Sequence, residues 1–412
     1  MKLRSIVGQI PDPDDLIGRE ETIEHLWQQI ETSNILLLSP RRFGKSGIMR
    51  HVLLRPRAGY LPLSFELEDV DSPEEFVWRI TRELLANDMT RSLLAKARNL
   101  PNAITAFIKD TFDEAGFEGA KVKFRESIKE DWREAARKML LEMEKASQTI
   151  IFIFDEFPSM IEAIAKKQNE KTAIDMLAWF RSIRLQQKDT LRRHRFIVGG
   201  SIGIDVILRL MKSSDKLNDF CRLYVGPLDE ANAKLLMSGL SETFGIAWND
   251  FMARHLLELL GPPIPFFIHL FFSQLGQAPM AQRQAPTSEL LDKVYRDKIL
   301  GTSVKSYFDH YSSRLERMGA ARKKAAIAVL SSVAGSGSGR LSSAVLYDIY
   351  RKSRGRGFRE SDFDELMADL QCDWYLALDP DTNEYHFMLH VMRDWWRRWY
   401  PMTAAAHSKL SR

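Results

Sequence analysis

ILLLSPRRFGKS, residues 35–46, carries four apolar residues into a short basic turn that closes on Gly44-Lys45-Ser46. The residues that follow, Ile48 to Leu54, have helical composition. A strand, a tight turn and a helix in that order make a loop whose backbone N–H groups suit an anion. Gly44 lets the backbone approach a phosphate with no side chain in the way. Lys45 is placed to neutralise β- and γ-phosphates, and the Ser46 hydroxyl to hold Mg²⁺. Ser39, Pro40, Arg41, Arg42, Phe43, Gly44, Lys45, Ser46 and Gly47 are therefore the candidate nucleotide-binding residues. One position departs from the G-x-x-x-x-G-K-[ST] pattern. Ser39, followed by Pro40, stands where the leading glycine belongs, so the turn must be made by another route.

A second apolar run, Ile150-Ile151-Phe152-Ile153-Phe154, suits a strand covered on both faces. It ends in Asp155-Glu156, two acids where a parallel strand opens onto its binding edge. Asp155 is the candidate Mg²⁺ partner of Ser46. Glu156 is the candidate general base for an attacking water. A polar turn at the end of a strand is the plain alternative for this pair. Both motifs in this order point to a nucleotide-binding protein that uses ATP and Mg²⁺.

The remaining composition narrows the class. The 412 residues allow two or three domains, and 45% apolar content is enough for a core. Nothing approaches the ~18 consecutive apolar residues that a membrane span needs. The first residues, MKLRSIVGQIPDPDD, lack an apolar signal core. Cys221 and Cys372 are the only cysteines, which fits a reducing compartment and no disulfide framework. The expected location is cytoplasmic. Nine histidines show no ligand spacing, so no zinc site is expected. A formal charge of +4 is too small for this length to argue for nucleic acid by itself.

Strands and helices alternate through the first half. Leu61 to Leu67 reads as a second strand, and Ser72-Pro73-Glu74-Glu75 as a capped helix opening. Residues 76–147 are helical in composition and have the look of an insertion ahead of the Asp155 strand. Arg195 to Ser201 and Arg222 to Val225 complete the set of expected strands, giving a parallel, helix-covered sheet over 1–227. Residues 228–310 read as a helical lid and connector, with a helix after Asp229 and another after Gly261-Pro262-Pro263. In 311–412, helices near 320–333, 342–352 and 360–370 precede a hairpin turned at Asp379-Pro380-Asp381-Thr382-Asn383. Three helices and a hairpin predict a winged helix-turn-helix. The fold expected is thus an α/β P-loop NTPase, a parallel sheet with a helical lid and a C-terminal winged helix.

With these elements in place, the chain resembles the archaeal-type ATPase family, STAND-like P-loop ATPases related to AAA+ proteins and to origin-recognition ATPases. The resemblance spans nearly the whole chain. It rests on Gly18-Arg19-Glu20, Pro40 to Ser46, the run into Asp155-Glu156, Gly200-Ser201, Gly261-Pro262 and Arg393-Asp394-Trp395-Trp396-Arg397-Arg398-Trp399. It implies that Ser201 senses the γ-phosphate and that the Gly261-Pro262 turn packs near the base or sugar. It also implies a charge-neutralising arginine offered to a neighbouring subunit of a homo-oligomer. Arg222 is the candidate, with Arg192, Arg193 and Arg195 as alternatives and ordinary surface charge as the plain reading.

Two other readings compete for the same residues. Gly199-Gly200-Ser201-Ile202-Gly203 matches the nucleophile elbow of α/β-hydrolases, with Asp229 or Asp250 and His269 as nominal partners. That reading leaves the phosphate loop unexplained. Arg351, Lys352, Arg354, Arg356 and Arg359 invite a DNA-backbone contact. Against this, the would-be recognition helix carries Glu360, Asp362, Asp364, Glu365 and Asp369. No Arg or Asn occurs from Ser361 to Leu370 to read base edges. A non-specific DNA contact and protein docking stay open; base readout is disfavoured. Trp395, Trp396 and Trp399 are expected in a core rather than as a stacking platform. The expected activity is that of an ATP-binding and ATP-hydrolysing switch that moves its winged helix to regulate a protein or DNA partner. The alternatives are a DNA-associated loader or transposition regulator, and a slow nucleotide-gated interaction protein of a defence or toxin–antitoxin system.

Overall fold

The chain was analysed as a computed structural model that describes residues 2–112, 117–185, 193–200, 203–278, 285–354 and 359–400. It forms two compact units, Ile10–Val225, and Gly226–Arg412 together with Met1–Gln9.

The first unit is built on five strands: β1 (Ile35–Leu38), β2 (Tyr60–Glu66), β3 (Thr149–Asp155), β4 (Arg195–Gly200) and β5 (Cys221–Tyr224). They lie in the order β2-β3-β4-β1-β5, and every pairing is parallel. Alternate residues of the apolar runs supply the two faces. Ile35, Leu37, Ile151, Ile153 and Ile197 pack with Leu26, Ile30, Ile48 and Val52 of helices Glu20–Ile30 and Lys45–Leu54. Leu36, Leu38, Phe152, Phe154, Phe196 and Val198 join the larger cluster with Phe76, Phe157 and Phe180. Both faces are covered, which is why the strands read as unbroken apolar runs rather than alternating ones.

Between β2 and β3 lie helices Pro73–Ala86, Asp88–Lys96, Asn102–Phe112, Phe117–Ile128 and Trp132–Met143. Ser72 caps the first of them by accepting the Glu75 N–H at 3.2 Å. Helix Phe157–Lys167, directly after the acids, has no counterpart among the sequence expectations.

In the second unit, helices Glu230–Phe244 and Pro265–Gly276 fall where expected. Between them lies Asp250–Leu260, capped by Asn249 accepting the Met252 N–H at 2.9 Å. The grouping of residues 1–9 with the sheet does not hold. Leu3 is buried, and the Ile6 N–H donates to His269 Nδ1 at 3.3 Å, so this segment packs with the helices after Gly226. The expected lid and winged-helix segments likewise fall in this one unit rather than two. The winged helix comprises helices Ala320–Gly335, Ser343–Arg354 and Glu360–Cys372 with strands β6 (Arg340–Ser342), β7 (Leu376–Asp379) and β8 (Glu384–Phe387). Its sheet is antiparallel in the order β6-β8-β7. β6 follows directly on the glycine-serine segment at 335–339. The Ser338 hydroxyl donates to the Arg340 carbonyl at 3.0 Å, and Arg340 pairs with Asp379 at 2.6 Å. Trp395 and Trp396 are fully buried, which makes them core residues. Among the described residues no single helix is long and apolar enough to cross a membrane.

Phe154 lies within ring-contact distance of Phe65, Phe76, Phe180 and Phe196. Phe154→Ala should lower the free energy of unfolding by about 3–5 kcal/mol in a urea titration. His194 is buried against Phe152 and titrates at about 4, chiefly because burial disfavours its charged form. Between its unfolded pKa of about 6.5 and that value, the unfolded chain holds a proton that the folded chain lacks. Stability should therefore fall as pH drops through this window, at up to ~1.4 kcal/mol per pH unit from this group. Glu144, 3.4 Å away and raised by burial, contributes with the opposite sign. Comparing unfolding of His194→Phe with the parent across pH 4–7 isolates the histidine, and the variant should show the flatter acid limb.

Candidate functional site

The loop after β1 solves the missing-glycine problem with a different residue. Ser39 has no positive φ; Arg42 (φ 77°) and Gly44 (φ 100°) do. The left-handed conformation that reverses the chain sits three residues further on, so the leading position does not need a glycine. Ser39 is buried, its N–H donates to the Gly200 carbonyl at 3.4 Å, and its hydroxyl has no partner among the described residues. Phe43 is fully buried, and its carbonyl accepts from the buried Arg19 at 2.8 Å. Arg19 belongs to the Gly18-Arg19-Glu20 segment, and its contact fixes the loop's outer turn. Sequence spacing carried no hint of it.

Gly44 then caps the helix that begins at Lys45. Lys45 Nζ lies 2.5 Å from Asp155 Oδ1, and the Ser46 hydroxyl donates to Asp155 Oδ2 at 2.8 Å. The Glu156 N–H also donates to Asp155, at 2.9 Å. Burial works against the Asp155 carboxylate. The Lys45 ammonium, with hydrogen bonds from Lys45, Ser46 and the Glu156 N–H, outweighs it and holds the carboxyl below its usual range.

This convergence depends on β4. Asp155 ends β3 and Lys45 follows β1, and β4 runs between those two strands. A Cβ on Gly199 would stand 2.4 Å from Met49 Cε, 2.6 Å from Asp155 Oδ1 and 3.1 Å from Lys45 Nζ. Gly199 is bare so that the ion pair can pass over it. Gly47 has a parallel role, since its Cβ would meet Leu16 and Pro11 at 2.9 Å. The segment before the first helix is laid against the start of the phosphate-loop helix, with Asp12 paired to Arg50 at 2.7 Å.

Glu156 has a left-handed backbone, φ 55°, as the residue preceding helix Phe157–Lys167. Its Oε2 accepts from the Ser159 hydroxyl at 2.9 Å and lies 3.9 Å from Arg41 Nη2. Arg41 lies equally far from Glu68. Glu66, level with Asp155 in the sheet, has its carboxyl pKa raised by loss of solvent and then by the charges of Asp155 and Glu156. Much of Glu66 remains exposed, so the repulsion is the cause that bears on the site. Among the described residues no group of three or more His, Cys, Asp or Glu could hold a metal. A hydroxyl beside one carboxylate is nevertheless a donor set that suits Mg²⁺, which takes oxygen ligands and completes its shell with water and phosphate.

Other sequence candidates lie elsewhere. Ser201 and Ile202 fall outside the described residues, as do Arg192 and Arg356. Arg222 lies on β5 and makes a bidentate pair with Asp205, both contacts 2.8 Å, which raises its pKa. Arg195 donates to the Ile30 carbonyl, and Arg193 to that of Ser147. Each of these arginines has an intramolecular task. The nominal hydrolase partners belong to the other unit. Asp229 caps a helix, Asp250 pairs with Lys234, and His269 Nδ1 accepts from Ile6. Gly261, also in that unit, has a positive φ and close contact with His390. On the would-be recognition helix, Asp369 is buried against Arg322 at 2.6 Å, and Asp362 accepts from the Arg359 N–H at 3.0 Å.

Sheet order and loop together define a P-loop NTPase fold. No protein-family model matches the chain, and no curated protein matches it. Among solved structures it is similar to the Walker-type ATPase PABY2304 of Pyrococcus abyssi, with a TM-score of 0.63 and 17% identity over 94% of this chain and 97% of that one. It is also similar to the Aeropyrum pernix ORC2 protein in its ADPNP–ADP complexes, with a TM-score of 0.59 and 11% identity over 100% and 99%. At such identities the likeness is one of fold, and it extends over nearly the whole length of both neighbours.

Gly199→Ala tests the role of the bare strand. The methyl group would drive into Asp155 or Met49, so the variant should lose about 1–3 kcal/mol of stability in thermal or urea unfolding. Gly200→Ala, with its nearest Cβ contacts at 3.4 Å, should cost less.

Proposed function

We propose that this chain binds and hydrolyses ATP and uses the nucleotide state to reposition its winged-helix unit, acting as a STAND-like switch on a protein partner. The observation that supports the reading most is the meeting of Lys45, Ser46 and Asp155 at the carboxyl edge of the sheet, beside a helix start free of acidic residues in its first turn. The N–H groups at that helix start, with Lys45, are suited to cradle the phosphates. Ser46 and Asp155 are the residues that would hold Mg²⁺, which would supply charge neutralisation across the β- and γ-phosphates. Lys45 would exchange the Asp155 oxygen for a phosphate oxygen when nucleotide enters. Glu156, which follows Asp155 at the same edge, would accept a proton from the attacking water. The ORC2 neighbour was solved with ADPNP and ADP, which is in keeping with a nucleotide at this edge.

DNA association, as a loader or transposition regulator, draws less support. The helix that would face phosphates begins with Glu360 and Asp362, and Asp364 adds a further charge that would repel a duplex. A slow interaction protein of a defence or toxin–antitoxin system would use the same site with little turnover.

Lys45→Ala should weaken ATP binding by tenfold or more, on the order expected for a lost charged hydrogen bond. Because it also leaves Asp155 without its cation, the variant's unfolding curve must be recorded alongside the calorimetric titration. Glu156→Gln should bind ATP at least as tightly as the parent does and turn it over at least ~10²-fold more slowly in a phosphate-release assay. Parental turnover in that variant removes Glu156 from the role of base.

A further inference from the structure

Among the described residues, the acids at this sheet edge outnumber the cations that face them. Lys45 is committed to Asp155, while Glu66, Glu68 and Glu156 crowd the same rim. The cation that faces two of these carboxylates comes from inside the phosphate loop. Arg41 Nη2 stands 3.9 Å from Glu156 Oε2 and 3.9 Å from Glu68 Oε1, bridging the base candidate to the segment after β2. At that separation the contacts are electrostatic and lie outside hydrogen-bond range. The Arg41 side chain is 41% exposed, so each pair is worth little and is readily exchanged for a stronger one. A guanidinium prefers phosphate oxygens, to which it can donate two parallel hydrogen bonds. Glu156 has a second holder in Ser159, whose hydroxyl donates to the same Oε2 at 2.9 Å, so the carboxylate keeps its place when Arg41 departs.

We propose that Arg41 is the residue by which the site tells a nucleoside triphosphate from a diphosphate, exchanging Glu156 and Glu68 for the terminal phosphate. The proposal rests on the nucleotide-binding reading above and adds selectivity to it. Without a terminal phosphate, Arg41 stays with the carboxylates and neutralises the base. With one, Arg41 moves onto it and Glu156 is left with its full charge toward the water. Glu68 competes with the phosphate for the same guanidinium and so tunes the preference.

Equilibrium titrations of the full chain with the non-hydrolysable analogue ADPNP and with ADP, in magnesium buffer, test this without depending on turnover. Arg41→Ala should weaken the triphosphate about tenfold or more and ADP less than about threefold. Arg41→Lys, which keeps the charge and loses the fork, should recover part of the difference. Glu68→Gln should shift the ratio a fewfold the other way, in favour of the triphosphate. An unchanged triphosphate-to-diphosphate ratio in Arg41→Ala, whether both affinities fall together or neither falls, overturns the proposal while leaving the nucleotide site standing. If the parent chain binds neither nucleotide, the site reading itself fails and this proposal fails with it.

Discussion

The ion pair between Lys45 and Asp155 is the constraint around which the first unit is arranged. It joins the loop after β1 to the end of β3, two strands that are not neighbours, and so it must cross the strand between them. That crossing is open because Gly199 presents no side chain. The same carboxylate receives Ser46 and the Glu156 N–H, so three groups converge on it from two elements. Removing either charge would leave the other largely buried and uncompensated, which makes the pair hard to dispense with even where it adds little net stability. In the nucleotide-binding reading proposed above, its chemical use is readiness: a cation, a hydroxyl and a carboxylate already stand together where the phosphates and Mg²⁺ would sit.

Around that pair the backbone adopts conformations that side chains rarely favour. Arg42 and Glu156 are both left-handed, one in the loop and one directly after the acidic strand end. Such positions cost on the order of 1–3 kcal/mol each and persist where the surroundings enforce them. In this unit the enforcing contacts are the Arg19 hydrogen bond to Phe43 and the Ser159 hydrogen bond to Glu156. Among the described residues, Glu66, Glu68 and Glu156 meet at the rim, and Arg41 of the loop faces two of them. The Pro40-Arg41-Arg42 stretch therefore serves both as a turn and as a source of charge.

Much of this was legible in the amino-acid order because it is local. Strands covered on both faces read as apolar runs, Ser72 and Asp229 announce their helices by capping, and Lys45, Ser46, Asp155 and Glu156 stand in motif positions. What escaped is non-local or too short. Gly199 matters only because β4 lies between β1 and β3, a fact of sheet order that no spacing along the chain records. β6 has three residues, too few for alternation to register. Arg222 resembled a free arginine until its pairing with Asp205 appeared, since a separation of 17 positions along the chain hides the contact. Residues 1–9 carry no marker of the helices they pack against.

The central claim is that the Lys45–Asp155 pair is a phosphate site at rest, and a crystal structure of the chain with magnesium and ADPNP tests it most directly. The account predicts the β- and γ-phosphates over the helix start at Gly44–Lys45, with Lys45 Nζ moved from Asp155 onto a phosphate oxygen. A triphosphate bound elsewhere, or bound here with the Lys45–Asp155 pair intact, would contradict it.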